Sequence, residues 1–105
     1  MQFRGSMNEL MRQASRMERK VSEARKANED RTVEATGANE KVKVVAKLSR
    51  ELVSITVDPD LLNEDRELAL DAVVATANAA MKMASDAMDA EIQKVTGGLK
   101  IPGVT

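Results

Sequence analysis

Alternating apolar and polar residues near the middle of the chain predict a β-strand. Val53, Ile55 and Val57 share one face at a period of two, with small polar residues between them, which is the pattern of a half-buried strand. Pro59 has no N–H to donate to a strand ladder and pushes the preceding residue toward extended geometry. Strand pairing is therefore expected to end at about Asp58.

The preceding segment predicts two more strands of an antiparallel meander. Residues 32–36 form a short first strand, 37–39 a turn, and 41–48 a second strand, connected by 49–51 to the third. The apolar face of the second strand comprises Val42, Val44, Ala46 and Leu48. The opposite face carries Lys41, Lys43 and Lys47. Lysines on such a face are more typical of solvated, edge-protecting residues than of ligands.

A heptad pattern predicts a helix on each side of the meander. The first runs from about Ser6 to Asp30, and its apolar seam consists of Met7, Leu10, Ala14, Met17, Val21 and Ala24. The second runs from about Glu64 to Thr96, after a capping segment at 63–65. Its heptad positions, expected in a dimer seam or in the core beneath it, are Leu70, Val74, Ala77, Met81, Ala84 and Met88. Residues 97–105 are expected to end the helix as a mobile tail.

Composition excludes several kinds of chemistry. The 105 residues, expected to form one domain, contain no Cys, no His and one aromatic residue, Phe3. The core must therefore be aliphatic, and a core this small favours burial against a second copy. Without His or Cys we expect no enzymatic activity, no metal and no cofactor, and the methionine row is more typical of core packing than of a soft-metal site. No membrane-spanning or export segment is expected, which favours a cytoplasmic protein.

The net charge of −1 hides an uneven distribution of charge along the chain. Residues 1–32 carry eight basic and five acidic side chains, whereas residues 58–95 carry three and nine. On the face of the first helix opposite its seam lie Arg12, Arg16, Arg19, Lys20 and Lys26. Two interpretations of this basic face remain open. It is either a solvated exterior with ion pairs between residues one helical turn apart, or a stripe that contacts phosphates.

Four sequence motifs together resemble the YbaB/EbfC family of nucleoid-associated proteins over nearly the whole chain. They are Met-Arg-Gln-Ala at 11–14, Val-Lys-Val at 42–44, Ile-Thr-Val-Asp-Pro-Asp-Leu-Leu at 55–62, and Thr-Gly-Gly-Leu at 96–99 followed by Pro-Gly at 102–103. The chain departs from the family pattern between its second and third strands, where the family often has a glycine and this sequence has none over 48–52.

The resemblance implies an α+β fold with an α-β-β-β-α protomer, forming a homodimer whose protruding helices resemble tweezers. Such a dimer would bind double-stranded DNA in the cytoplasmic nucleoid with low sequence specificity, altering DNA conformation and, through it, gene expression. No membrane or small-molecule partner is implied. The expected phosphate contacts are Arg12, Arg16, Arg19, Lys20 and Lys26, assisted by Arg4, Lys94 and Lys100. The alternative is a structural or scaffolding homodimer that binds another protein, and steep salt dependence of duplex binding would separate the two.

Overall fold

The computed structural model describes the backbone of residues 2–98 and the side chains of residues 6–98. Its elements are α1 (Gln2–Asn28), β1 (Thr32–Gly37), β2 (Val42–Lys47), β3 (Leu52–Val57), α2 (Pro59–Glu64) and α3 (Arg66–Thr96). The strands form one antiparallel sheet in the order β1-β2-β3, which confirms the α+β class and the predicted meander. Gly97 ends α3 with left-handed backbone, and the rest of the predicted tail, 99–105, lies outside the described residues.

Strand β2 forms the centre of the sheet, and its alternation follows the sequence pattern. Val42, Val44 and Ala46 are fully buried beneath α3, whereas Lys43 points to the opposite, exposed face. In the register, Val44 lies opposite Ala35 of β1 on one side and Ile55 of β3 on the other. The period-two pattern of β2 therefore identifies the face on which the helix packs.

The corner between β2 and β3 turns without a glycine. Arg50 adopts left-handed backbone with a φ of 73°. The Arg50 N–H donates to the Lys47 carbonyl at 2.9 Å, and the Lys47 N–H donates to the Glu51 carbonyl at 2.8 Å. A bulge at Val45/Ala46 shifts the strand register next to this corner. These hydrogen bonds hold Arg50 in a backbone conformation that a side chain disfavours by about 1 kcal/mol or more.

Two aspartate caps start two helices where the sequence predicted one, because the short α2 precedes the predicted helix. The Asp60 N–H donates to Asp58 Oδ1 at 2.8 Å, and Pro59 occupies the first helical position, so a short helix begins five residues before the predicted start. Asp65 is extended, and its Oδ1 accepts from the Leu68 N–H at 3.0 Å. The long helix therefore begins at Arg66 rather than at Glu64.

The core consists of two clusters along α3. In the first, the sheet packs against the first half of α3, and its buried residues are Ala35, Val42, Val44, Ala46, Leu61, Ala69 and Ala80. In the second, α1 packs against the second half of α3, and its buried residues are Val21, Leu48, Met88 and Ile92. Val33 contacts both clusters, which makes the core continuous.

Helix α1 runs antiparallel to α3 and extends well beyond its end. Val21 packs beside Met88 and Ile92, only one turn before α3 ends at Thr96. Toward its N-terminus α1 continues to Gln2, about 28 Å further at 1.5 Å per residue. The molecule is accordingly 76 Å long and 19 Å wide. Its radius of gyration, 20.1 Å, far exceeds the roughly 13 Å of a compact chain of this size.

Strand β3 is less buried than its sequence pattern predicts. Val53 and Ile55 are 52% and 44% exposed, whereas Val57 is partly buried. The reason is the position of α3, which lies over β1 and β2 and barely reaches β3. One protomer therefore leaves an apolar edge strand uncovered.

Replacing Gly37 with alanine should destabilise the protein by about 1–3 kcal/mol, the usual cost of overpacking. A Cβ at position 37 would collide with the hydroxyl of Thr76, where β1 approaches α3 closely. Urea unfolding followed by circular dichroism measures the change.

The double variant Gly37→Ala/Thr76→Ala provides the control. The Thr76 hydroxyl donates only to the Ala72 carbonyl of its own helix, at 2.7 Å, so its removal leaves no buried partner unsatisfied. The double variant should regain most of the lost stability. A Gly37→Ala protein with the parent's midpoint would show that α3 does not approach β1 this closely.

Candidate functional site

Helix α1 carries an arginine stripe, formed by Arg12, Arg16 and Arg19, which extends from its packed part onto its projecting part. Steps of four and three residues place these side chains on one helix face over consecutive turns, and all three residues are exposed. Arg12 Nη1 lies 3.9 Å from Glu9 Oε2, a loose and exposed contact. Among the described residues, Arg16 and Arg19 form no ion pair, so their guanidinium groups are available to a ligand.

The arginine stripe points away from the rest of the protomer. Val21 marks the face of α1 that packs on α3, and the arginines lie on the opposite side of the helix. The groove along the stripe is completed by Asn8, Met11 and Ser15, none of which is charged. A convex helix face with three cations fits an extended polyanion better than an enclosed small molecule.

Of the other predicted phosphate contacts, Lys20 adjoins the stripe, one turn after Arg16, whereas Lys26 and Lys94 lie apart from it. Lys20 and Lys26 are exposed on α1. Lys94 lies on the last turn of α3, where its Nζ donates to Glu91 Oε1 at 3.0 Å. Lys100 and the side chain of Arg4 lie outside the described residues.

An ion pair of Glu91 with Arg31 links α3 to the junction of α1 and β1. Glu91 Oε1 accepts from Lys94 Nζ and, at 2.8 Å, from Arg31 Nη1. The hydrogen bond from Lys94 and then that from Arg31 lower the pKa of the Glu91 carboxyl. Glu91 interrupts the apolar row of α3 in the sequence, and the long-range pair with Arg31 had no sequence signal.

A second groove lies between the end of α1, the β2–β3 corner and α3. Its polar lining consists of Arg25, Glu29, Ser49, Arg50, Ser85 and Asp89. Two arginines face two carboxylates, so this groove has no excess positive charge to attract an anion. Sequence patterns did not indicate it, because its residues come from three separate elements.

Some of the predicted dimer and core residues of α3 are buried within the protomer, and others are exposed. Ala84 and Met88 are buried, and Ala77 and Met81 are partly buried. Leu70 and Val74 are 57% and 61% exposed. With exposed side chains of α2 and β3 they define the β3–α3 apolar surface, formed by Leu52, Val53, Ile55, Leu62, Leu70 and Val74, whereas the exposed Leu68 lies on the other side of α3.

The charges separate along the long axis of the molecule. Arg12 lies on the part of α1 that extends past the C-terminal end of α3, whereas Arg19 lies two residues before Val21, beside the last turns of α3. The acidic residues of α2 and the first turns of α3, including Asp60, Glu67 and Asp71, lie at the other end of α3. The acidic segment is therefore far from the stripe.

The described residues offer neither a metal centre nor a membrane span. Within residues 2–98, no three His, Cys, Asp or Glu side chains are grouped to hold a metal ion. None of the helices in that part of the chain is both long and apolar enough to cross a bilayer.

Comparison with known proteins identifies relatives over nearly the whole chain. A profile of the YbaB/EbfC DNA-binding family matches residues 3–99. A nucleoid-associated protein of Pelotomaculum thermopropionicum is 39% identical over 95% of this chain and 96% of its own. One from Clostridium kluyveri is 36% identical over 95% and 89%. An uncharacterized protein of Helicobacter pylori, in its crystal structure, shares the fold with a TM-score of 0.64 and 22% identity, over 73% of this chain and 90% of that one.

Replacing Glu91 with glutamine should reduce stability in a pH-dependent way. Because the folded state lowers the pKa of Glu91, its contribution is fully present above the ordinary glutamate value of about 4.3 and is lost as the pH falls through the lower folded value. Thermal melts at several pH values should show parent and Glu91→Gln differing near neutrality and converging in acid. Glu40→Gln, in the exposed β1–β2 turn, is the control for removing a carboxylate. A constant difference down to pH 2 would contradict the role of the ionised carboxylate.

Proposed function

Because the chain belongs to the YbaB/EbfC DNA-binding family, we propose that it is a nucleoid-associated protein that binds double-stranded DNA as a homodimer. The family and the names of the relatives support a DNA-binding role in the nucleoid. The observation that carries the proposal is the arginine stripe: three exposed guanidinium groups on a helix that projects from the protomer.

The geometry of the stripe suits a duplex backbone. Arg12 and Arg19 are about 10 Å apart along the helix axis, a distance that spans several phosphates of one strand. Guanidinium groups bind phosphate oxygens bidentately, and such contacts position a protein on DNA without reading its bases. Low sequence specificity follows from this chemistry. The charge on the duplex also favours approach by the projecting end of α1, since the acidic segment lies at the other end.

The homodimer rests on a different part of the molecule. The β3–α3 apolar surface comprises six large apolar side chains that one protomer leaves exposed. Soluble monomers rarely expose apolar patches of such extent, and the small aliphatic core gains from further burial. Pairing through this surface would leave both stripes free, so that two projecting helices could bind one duplex, as the predicted tweezers require.

Replacing Arg12, Arg16 and Arg19 together with alanine should weaken binding to every duplex by at least about tenfold at the same salt concentration. If each arginine of both protomers neutralises one phosphate, the homodimer loses six contacts, and the slope of log affinity against log salt should fall by about 5. Fluorescence anisotropy with random-sequence duplexes over a salt series measures both quantities. Thermal melting should stay within a few degrees of the parent, because these side chains pack against nothing.

A charge-matched variant controls for the change in net charge. Lys41, Lys43 and Lys82 are also exposed, and their replacement by alanine removes three positive charges away from the stripe. That variant should bind duplex nearly as tightly as the parent. An equal loss of DNA affinity in both variants would show that the stripe acts only through net charge. Undiminished binding by the arginine variant would favour the scaffolding alternative.

Replacing Val74 with aspartate should dissociate the homodimer, raising its dissociation constant by at least about a hundredfold. A carboxylate buried between two copies costs several kcal/mol, whereas in an isolated protomer the 61% exposed position would tolerate it. Ala75→Asp is the control, because Ala75 is exposed on a neighbouring face outside the predicted seam. Analytical ultracentrifugation at micromolar concentrations compares the variants. A parent that sediments as a folded monomer would refute the dimer.

A further inference from the structure

The projecting end of α1 exposes an apolar tip, formed by Met7, Leu10 and Met11. These side chains are 62%, 61% and 67% exposed, and spacings of three and four residues make them neighbours on the helix surface. Met7 and Leu10 continue the heptad seam that packs against α3 at Val21. Helix α3 ends one turn after Ile92 and does not reach them. The apolar tip is therefore a helix-packing seam that lacks a second helix.

The face of α1 that carries the apolar tip is uncharged over residues 6–17. The charged side chains of that segment are Glu9, Arg12 and Arg16. At 100° per residue they lie on the opposite side of the helix, whereas Ser6 and Gln13 border the tip beside Leu10. The tip itself therefore offers no positive charge to a polyanion or to an anionic membrane. An identical face of a second copy can approach it without charge repulsion.

We infer that the apolar tips of two homodimers pair with each other, α1 against antiparallel α1, and thereby join two DNA duplexes. The inference rests on the proposed function. If the arginine stripe holds a duplex, the apolar tip on the opposite side of α1 faces away from that duplex. Two paired tips consequently direct their stripes outward in opposite directions, one toward each duplex.

The position of α3 requires the antiparallel arrangement. From the level of about Met17 toward the C-terminus of α1, the seam is covered by α3. A second α1 that ran parallel to the first would follow the seam into the space that α3 fills. An antiparallel α1 instead begins where α3 ends and continues past the N-terminus of the first helix, where no described part of the protomer lies.

The heptad seam and the end of α3 also determine the register of the pair. If Met7 of one copy packs against Leu10 of the other, paired positions sum to 17, so Gln2 of the second helix lies beside position 15. That level is just beyond the end of α3. A shift of one heptad toward α3 would place Gln2 beside position 22, where α3 already packs. In the allowed register Glu18 lies outside the paired length and opposes no charge of the second helix.

The contact between two tips is weak on its own. Three side chains per copy bury much less than the roughly 1,200–2,000 Å² of a stable protein interface. Several homodimers bound along each of two duplexes would form such contacts together, and linked contacts bind far more tightly than one. Joining of duplexes therefore depends on bound DNA, and free homodimers should sediment separately at micromolar concentrations.

The first test measures whether protein on an immobilised random-sequence duplex captures a second, fluorescent duplex. It compares the parent with Met7→Gln/Leu10→Gln and with Met83→Gln. Glutamine favours the helix and adds no charge, and Met83 is an exposed methionine of α3 away from the tip. The parent and Met83→Gln should capture the second duplex, whereas the double variant should capture at least about tenfold less. Its affinity for a single duplex and its salt slope should match the parent, because the stripe is intact.

Single-duplex affinity separates this inference from the proposed function. A double variant that captures the second duplex as well as the parent does overturns the pairing of tips. A parent that binds one duplex but captures no second one also overturns it, and both results leave the proposed function intact. A parent that binds no duplex overturns both.

The second test measures the arrangement of the two helices by disulfide formation, since the chain contains no cysteine. A mixture of Met7→Cys and Leu10→Cys proteins on DNA should form the mixed disulfide at least about tenfold faster than Ser15→Cys protein forms its own, because only paired positions bring two Cβ atoms close enough. Ser15 lies in the groove along the stripe, away from the tip. After release from DNA in high salt, the cross-linked product should sediment as two joined homodimers.

Three outcomes would reassign the apolar tip, and each overturns the inference. A cross-linked product the size of one homodimer would place the tip inside the homodimer. Faster pairing of Leu10→Cys with itself than with Met7→Cys would indicate parallel helices. Capture of a second duplex only after removal of residues 99–105 would assign the tip in the full chain to that segment.

Discussion

The packing of α1 against the second half of α3 is the contact on which the candidate interface depends. Val21 inserts between Leu48, Met88 and Ile92, and this small cluster fixes the direction in which α1 leaves the body. The described side chains from Ser6 to Arg16 are all exposed, so this part of α1 is held through the helix itself. Helical hydrogen bonds along α1 transmit the orientation set at Val21 to arginines that lie from about half a turn (Arg19) to about two and a half turns (Arg12) away. A cluster of four buried residues thus positions a surface that has no tertiary contacts of its own.

The two halves of α3 pack against different partners, the sheet and α1. Small residues in its first half, such as Ala69 and Ala80, let it lie directly on the sheet, where Gly37 meets Thr76. Larger residues in its second half, Met88 and Ile92, reach α1 instead. The change from alanine to longer side chains along one face therefore matches the change from a flat sheet to a more distant helix as the packing partner. The first half of α3 leaves apolar side chains of β3 uncovered, and these belong to the surface proposed for a second copy.

Sequence patterns predicted well the features that local chemistry determines, and poorly the features that tertiary packing determines. The alternation of Val42, Val44 and Ala46 predicted β2 and its buried face, because period-two burial is a local property of a covered strand. The separate helix α2 was missed, although Asp58 and Pro59 are its cap and first residue, because the same residues also signal the end of a strand. The exposure of Ile55 had no local signal, since it depends on where α3 lies over the sheet. The arginine stripe followed from helical periodicity, whereas the exposure of Met7 and Leu10 depends on the length of α3.

The separation of charge along the long axis gives a nearly neutral protein a large electric dipole. With a net charge of only −1, the molecule as a whole is neither strongly attracted to nor repelled by a polyanion. In the proposed binding to DNA, its dipole would experience a torque in the field around a duplex, and that torque would turn the arginine end inward before contact. Orientation during diffusion increases the fraction of encounters that are productive, so the benefit falls on the association rate. Because this field decays over about 10 Å at 0.1 M salt, the orienting effect operates only in the final approach.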